Sequence, residues 1–331
     1  MVHAATQRSS NTEYRLKRAL DRHGAAPLAL ALKRRRLGAY RGYAEMLGAL
    51  RELSKGGAAL EAIGESVTGE PILAVTIGNR DSKRTSIVLS GLHPMEWISI
   101  ETNLALLQRL AQRPMSDRRV VAVPMANPDG IIEVERNLRL GRRRLVRFNR
   151  SGVDLNRNFP VHWNRLSLSR LMLGRYRPGS APASEPEVRA ITAFLTGSMV
   201  DRALSLHSFG GAVLHPYGAR LRPPLDVTEH RRWARHIAER ADTRNPYRVV
   251  QCSHWLPGFT APGMELDYFH DQHGALSLLV ECTRGGLSAR STSLRRCLEP
   301  FAWYNPERLD NYAPQIAGAV EPFVRGLVQP A

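Results

Sequence analysis

The sequence predicts an α/β fold: a single domain with a mixed central β-sheet flanked by helices. Three observations carry this prediction. Short apolar runs bounded by Gly, Pro and polar clusters alternate with stretches of helical apolar spacing along most of the chain. The 331 residues suffice for one large α/β domain or two small ones, and no internal repeat or low-complexity linker divides them. His93, His207 and Glu281 stand at or just past the ends of strand-like runs, where open α/β sheets collect function.

Residues 1–38 read as a basic N-terminal extension. Its helical spacing over Glu13–Leu32 is loose, as in a frayed or surface-packed segment. Residues 39–331 form the domain proper. Tyr43, Met46, Leu47, Leu50 and Leu53 fall on one helix face, closed by Gly56-Gly57. Leu60–Val67 and Pro71–Gly78 read as two strands of a hairpin turning at Thr68-Gly69-Glu70. Ser86–Ser90 is a buried strand that Gly91 breaks. Ile98–Ala111 is a helix ended before Pro114, and Arg119–Pro124 a second buried strand.

Ala126–Gly130 reads as a turn, Asn137–Arg150 as an arginine-dense loop and Gly152–Pro160 as an Asn-rich loop. A helix to Leu195 starts with Ser184 as N-cap and Glu187 in the capping-box position. Ala203–His207 is a short strand, Val227–Ala241 a helix, and Gly274–Cys282 a strand with Glu281 near its end. His270 and His273 have metal-compatible spacing but fall in a loop. The tail from Pro306 to Val328 holds a last helix broken at Pro314 and Pro322.

Composition narrows the class. A hydrophobic content of 43% and a charged content of 23% are ordinary for a soluble globular chain. No apolar run approaches the roughly 18 residues of a membrane span. The start is polar and basic, and Leu28–Leu32 is too short for a secretory core, so the expected compartment is the cytoplasm. Cys252, Cys282 and Cys297 are too few and too separated for a disulfide framework or zinc knuckle, and read as reduced thiols. The net charge of +17 suggests an anionic partner. Four lysines stand against forty-three arginines, spread along the whole chain, and no nucleic-acid-binding motif accompanies them. Nucleic acid is therefore not the expected partner.

The chemistry begins at Gly91-Leu-His-Pro-Met-Glu96-Trp97. An imidazole and a carboxylate three residues apart, just past a strand end, can grip one divalent ion from a single turn. Such a site needs a third protein ligand from elsewhere and keeps a position for water. Alone, such a pair is most often a surface coincidence. Further motifs follow in order: Asn127-Pro-Asp-Gly130, Val153-Asp-Leu-Asn-Arg-Asn158, Leu206-His-Ser208 and Val280-Glu-Cys282.

Together, over about residues 39–325, they resemble the zinc metallocarboxypeptidase (carboxypeptidase A-like) family, in a bacterial-type member. The resemblance implies one zinc ion held by His93, Glu96 and His207. It implies Glu281 as the general base acting on a water at the ion; without it, Glu281 reads as a strand glutamate paired with Arg284. Asn156 and Arg157 would receive the substrate's terminal carboxylate, for which a planar guanidinium fork is suited. Arg142 falls where the family places an arginine that stabilises the oxyanion, with Arg139, Arg143 and Arg144 close by.

Leu266 would floor the pocket for the terminal side chain and favour an apolar residue. Glu265 and Asp267 flank it, and a shift of one residue would give an acidic floor that prefers Lys or Arg. Met95 and Phe209 depart from the family pattern, and no tyrosine stands near Phe259 or Thr260, where the family has a lid tyrosine; Tyr268 is the nearest downstream. The implied function is release of a C-terminal residue from peptides. An alternative of the same fold is a murein-peptide amidase cutting γ-D-glutamyl bonds to a diamino acid. An alternative of another class is a non-catalytic peptide- or polyanion-binding relative.

Overall fold

A computed structural model of the chain describes residues 2–24, 37–171, 176–255, 258, 260–284 and 299–327. Phe259 and Cys297 lie outside them. The frame is one eight-stranded mixed sheet: β1 (Ala59–Glu65), β2 (Pro71–Gly78), β3 (Arg84–Leu89), β4 (Arg119–Val123), β5 (Met199–His207), β6 (Ala212–His215), β7 (Arg248–Gln251) and β8 (Leu276–Glu281), in the order β1-β2-β4-β3-β5-β8-β6-β7. The β1–β2 pair is the expected antiparallel hairpin, with Glu65 opposite Pro71. The centre, β4-β3-β5-β8, is parallel.

Helices cover both faces: α1 (Val2–His23), α2 (Tyr43–Lys55), α3 (Trp97–Gln112), α4 (Pro128–Arg139), α5 (Pro186–Phe194), α6 (Val227–Ala241), α7 (Glu265–His273), α8 (Pro300–Tyr304) and α9 (Ala313–Val324). The two-residue period of a strand sorts the core. Val88 joins one apolar cluster with Trp97, Leu107, Trp233 and Ile316. Its neighbours Ile87 and Leu89 join another with Phe159, Val188, Ile191 and Phe269. Each such fully buried side chain contributes about 1.5–3 kcal/mol. That exceeds the strand-propensity scale of about 1 kcal/mol, so two-sided packing fixes β3. Among the described residues no helix is long and apolar enough to cross a membrane.

Four local expectations are corrected. The stretch read as a turn into a loop is helix α4: Asn127 Oδ1 accepts the Gly130 N–H at 3.0 Å, Pro128 opens the helix, and Ile131, Val134 and Leu138 are buried. Helix α5 starts one residue later than read. Ser184 is not its N-cap, because its hydroxyl bonds Glu185 Oε1 (2.8 Å) and accepts from Asn158 Nδ2 (3.0 Å). Helix α9 is not broken: Pro314 lies in its first turn, where its missing N–H has no intrahelical partner to lose, and Pro322 in its last, which costs one backbone bond. The loop assigned to His270 and His273 is helix α7, which buries Leu266, Tyr268 and Phe269 and ends at Gly274 in the left-handed region (φ +67°). In the basic extension, α1 buries Leu16 and Ala19 in the main cluster, and its Arg22 reaches Glu70 at 2.8 Å.

His215, at the end of β6, is a structural residue. Its Nδ1 lies 2.8 Å from the Pro216 carbonyl, and burial, with the nearby Arg231 charge, pushes it down to about 4. Between about pH 6.5 and pH 4 the unfolded chain binds a proton at this position that the folded chain refuses. Stability therefore falls as pH drops through that window, by roughly 3 kcal/mol in full. Thermal unfolding between pH 4 and 7 should show a shallower loss for His215→Gln than for the wild type; identical slopes would assign the acid sensitivity elsewhere.

Candidate metal centre

The site is assembled by sheet register. β3, β5 and β8 are neighbours, parallel, and end on the same edge of the sheet. His207 closes β5 directly opposite Glu281 on β8. Past β3, Gly91 adopts φ +67° with Pro124 O only 3.0 Å from where a Cβ would stand, so the chain turns there without a side chain. His93 and Glu96 follow in one turn, closed by the Glu96 N–H to His93 O bond (3.1 Å), and Glu96 leads into α3. Asn305 clamps that turn, donating to Met95 O (2.8 Å) and accepting from the Ile98 N–H (2.9 Å).

His93, Glu96 and His207 are all buried, and their donor atoms converge. His93 Nδ1 lies 2.9 Å from Glu96 Oε1, His207 Nδ1 lies 2.9 Å from Glu96 Oε2, and the two Nδ1 atoms are 3.1 Å apart. The outer ring nitrogens decide the tautomers. His93 Nε2–H donates to Asp154 Oδ1 (3.1 Å), and His207 Nε2–H faces Ser205 Oγ (3.1 Å) and Glu265 Oε1 (3.2 Å). With the protons outside, both Nδ1 lone pairs point inward at a carboxylate, an arrangement that calls for a cation at its centre. Ligands of a tetrahedral zinc at about 2.05 Å stand about 3.3 Å apart, close to these separations.

The electrostatics draw positive charge to the same point, a metal ion or, without one, a proton on His207. Burial works against charge on His207, yet Glu96 and Glu265 push it up to about 10. Burial likewise raises the Glu96 carboxyl, but the two histidines hold it well below the usual carboxylate range. Asp154 is buried too, and the Arg147 guanidinium, with Nε 2.9 Å from Asp154 Oδ2, and His93 hold it low.

Around this trio the other expected residues take distinct places. Glu281 is half-buried; burial and the Glu96 charge push it up to about 8, partly offset by His207 and Arg147. Its Oε2 has no hydrogen-bond partner among the described residues. It does not pair with Arg284, which is turned to Asp242. Asn156 is buried beside His207 and accepts the Glu265 N–H at 3.3 Å. Arg157 follows it in the same 3₁₀ turn and bonds the Asn156 carbonyl at 2.5 Å. The turn is held close to residue 263, where a Cβ would meet Arg157 O at 2.3 Å, so that position requires Gly263.

Leu266 is buried in an apolar cluster with Leu214, Cys252, Met264 and Leu279. Arg142 is exposed, whereas Arg147 is bound to the centre through Asp154. Sequence reasoning missed Arg147 and Asp154 in its role toward His93, and it named Glu265 only as a flank of the pocket floor, not as the partner of His207. The first lay among six neighbouring arginines with no pattern to single it out. Tyr268 packs on Phe159 in the core and cannot close over a substrate.

A second cluster, Asp226, His230 and His270, also has metal-compatible spacing. Its chemistry does not fit. His230 Nε2 accepts the Ser277 N–H at 3.2 Å, so Nδ1 carries the proton, donated toward Asp226. A neutral imidazole in that state has no lone pair left for a metal.

An α/β sheet whose central parallel strands bring two imidazoles and two carboxylates to one point defines a mononuclear metal centre. Residues 43–298 match the zinc carboxypeptidase family, and the chain belongs to it; the family uses zinc, and the donor set here fits that ion. The chain is 28% identical over 225 residues to mast cell carboxypeptidase A of Mus musculus, covering 63% of this chain and 54% of that protein. It is 27% identical over 199 residues to zinc carboxypeptidase A 1 of Drosophila melanogaster, covering 55% and 46%. The chain thus spans about half the length of the curated relatives it matches.

Among solved structures, carboxypeptidase A from Helicoverpa armigera superposes with a TM-score of 0.71 at 22% identity, covering 89% of this chain and 80% of that one. Bovine thrombin-activatable fibrinolysis inhibitor, solved with a tick carboxypeptidase inhibitor, gives 0.69 at 23%, covering 87% and 98%. These likenesses show the shared fold.

If Asp154 fixes the tautomer of His93, Asp154→Asn should weaken zinc affinity by about 10–100-fold, the scale for outer-shell partners. Competition with a chromophoric chelator reads this directly; unchanged affinity would reduce Asp154 to a partner of Arg147 alone.

Proposed function

We propose that this protein is a zinc-dependent metallocarboxypeptidase that hydrolyses the C-terminal peptide bond of peptides with a free terminal carboxylate. The observation that supports this best is the convergence of His93, Glu96 and His207 beside Asn156–Arg157 and Glu281, whose Oε2 has no partner among the described residues. Zinc held by the trio would supply Lewis acidity toward the scissile carbonyl and a water acidified toward pH 7. Everything else falls to the chain. Glu281 Oε2 takes a proton from the attacking water as its oxygen bonds the carbonyl carbon, then gives that proton to the departing amine nitrogen as the C–N bond breaks. Its raised proton affinity suits a group that must hold the proton between those two steps, and a nearby dication draws it back down.

Asn156 and Arg157 bind and orient the terminal carboxylate, restricting cleavage to the last bond. Arg147, half-buried beside Asp154, offers positive charge at the centre, where the carbonyl oxygen becomes anionic. A non-catalytic binding role is disfavoured, because all three metal donors and the adjacent carboxylate are intact.

The direct test is release of the last residue from a mixed free-acid peptide library, with a γ-D-glutamyl-diamino acid peptide alongside, with and without a chelator. Chelator-sensitive release from ordinary peptides is expected; cleavage of the cell-wall peptide alone would replace this reading with the amidase. Glu281→Gln should keep its zinc while turnover falls by about 100-fold or more, and near-normal turnover would remove Glu281 from the proton path. For Arg157→Ala the loss should fall on free-acid peptides. An equal loss with C-terminally amidated peptides would show that Arg157 is no carboxylate receptor.

A further inference from the structure

The chain segment that carries Arg147 also walls a cavity of about 270 Å³. It is distinct from the metal centre, for none of His93, Glu96, His207, Asn156, Arg157 or Glu281 lines it. Arg144, Phe148 and Arg150 line it from that segment and Arg177 from a separate loop, whereas Arg147 reaches Asp154 instead. Asp129 and Glu133 of α4 line it as well, but both already have partners. Asp129 is buried and accepts the Ser66 hydroxyl (2.7 Å), the Thr68 N–H (3.1 Å) and the Thr68 hydroxyl. Glu133 faces Arg136 at 3.6 Å. Arg144, Arg150 and Arg177 pair with no carboxylate among the described residues, so the uncompensated charge in this cavity is positive.

One of these guanidiniums is already held in place. The Arg177 head lies 5.0 Å over the centre of the Phe148 ring, a cation–π contact. Gly152, at φ +79°, leaves room for it: a Cβ there would stand 3.3 Å from Arg177 Nη1. The Arg177 carbonyl accepts the Asp154 N–H at 2.8 Å, which fixes its backbone too. A donor ordered before the ligand arrives loses less freedom on binding. Guanidinium forks match paired oxygens of phosphate or carboxylate, and an anion among several of them relieves their mutual repulsion. The volume is that of a small molecule. We propose that this cavity binds a small dianion bearing phosphate or carboxylate groups, gripped by Arg144, Arg150 and Arg177. The site goes beyond the peptidase reading and does not depend on it.

The test is calorimetric titration of the zinc-loaded protein with inorganic phosphate and, separately, succinate, against sodium chloride at matched ionic strength. At least one dianion should bind saturably, one per chain, and the one that binds names the group the cavity takes. Arg144→Gln and Arg150→Gln should each weaken that binding by about tenfold, the scale for a charge-assisted hydrogen bond. Both side chains are exposed, so these variants keep the inference falsifiable if Arg177→Gln does not fold. Arg157→Ala should leave the affinity unchanged. Binding lost in Arg157→Ala but kept in the two exposed variants would overturn the inference, because the anion would then sit at the metal centre. So would saturable binding of neither dianion, or an equal response to chloride, which would be screening alone.

Discussion

Four lone-pair donors are crowded together in a buried region: His93 Nδ1 lies 2.9 Å from one Glu96 oxygen, His207 Nδ1 2.9 Å from the other, and the two nitrogens 3.1 Å apart. Without a cation this arrangement is repulsive, because the ring protons lie on the opposite nitrogens, tied to Asp154, Ser205 and Glu265. Much of the structure serves to hold it. The sheet register sets His207 beside Glu281, the Gly91 turn and Asn305 fix the His93–Glu96 turn, and the Asp154 loop closes the rim. Removing any one of these leaves the donors present but unaimed.

The charge distribution follows from the same constraint. Forty-three arginines could have suggested a polyanion-binding surface, yet the fold brings few of them to the centre. Arg147 neutralises Asp154, and Arg157 sits on the same short turn as Asn156. Arg118 is fully buried at the far end of the sheet, pairing with Asp201, and serves packing. The acidic centre inside a basic molecule is a local arrangement that net charge conceals.

The sequence made some features legible because a short-range signal encoded them. The β1–β2 hairpin followed from Thr68-Gly69-Glu70 between apolar runs, and α3 and α6 from apolar periodicity. A spacing of three residues marked His93 and Glu96 as a possible pair, and the resemblance of five ordered motifs to the family added His207 and Glu281. Helix α4 was misread because Asn127-Pro128 signals a turn and a helix start equally well, and only its buried face against the sheet decides. Helix α7 was missed because its nine residues are dominated by acids and histidines and show little periodicity.

The sequence by itself therefore determined the fold class, through local pattern, and the identities of His93, Glu96, His207 and Glu281 as candidates, through short motifs that resemble the family's. Tertiary structure alone decided which of the neighbouring arginines enters the site, which imidazole nitrogen faces inward, and which of Glu265 and Asp267 keeps an oxygen without a partner among the described residues. Those depend on contacts between residues distant in the chain, such as Arg147 with Asp154, His207 with Glu265 and Asp267 with Gly218. No local signal carries such contacts, because each forms only when the sheet brings separate loops to the same edge.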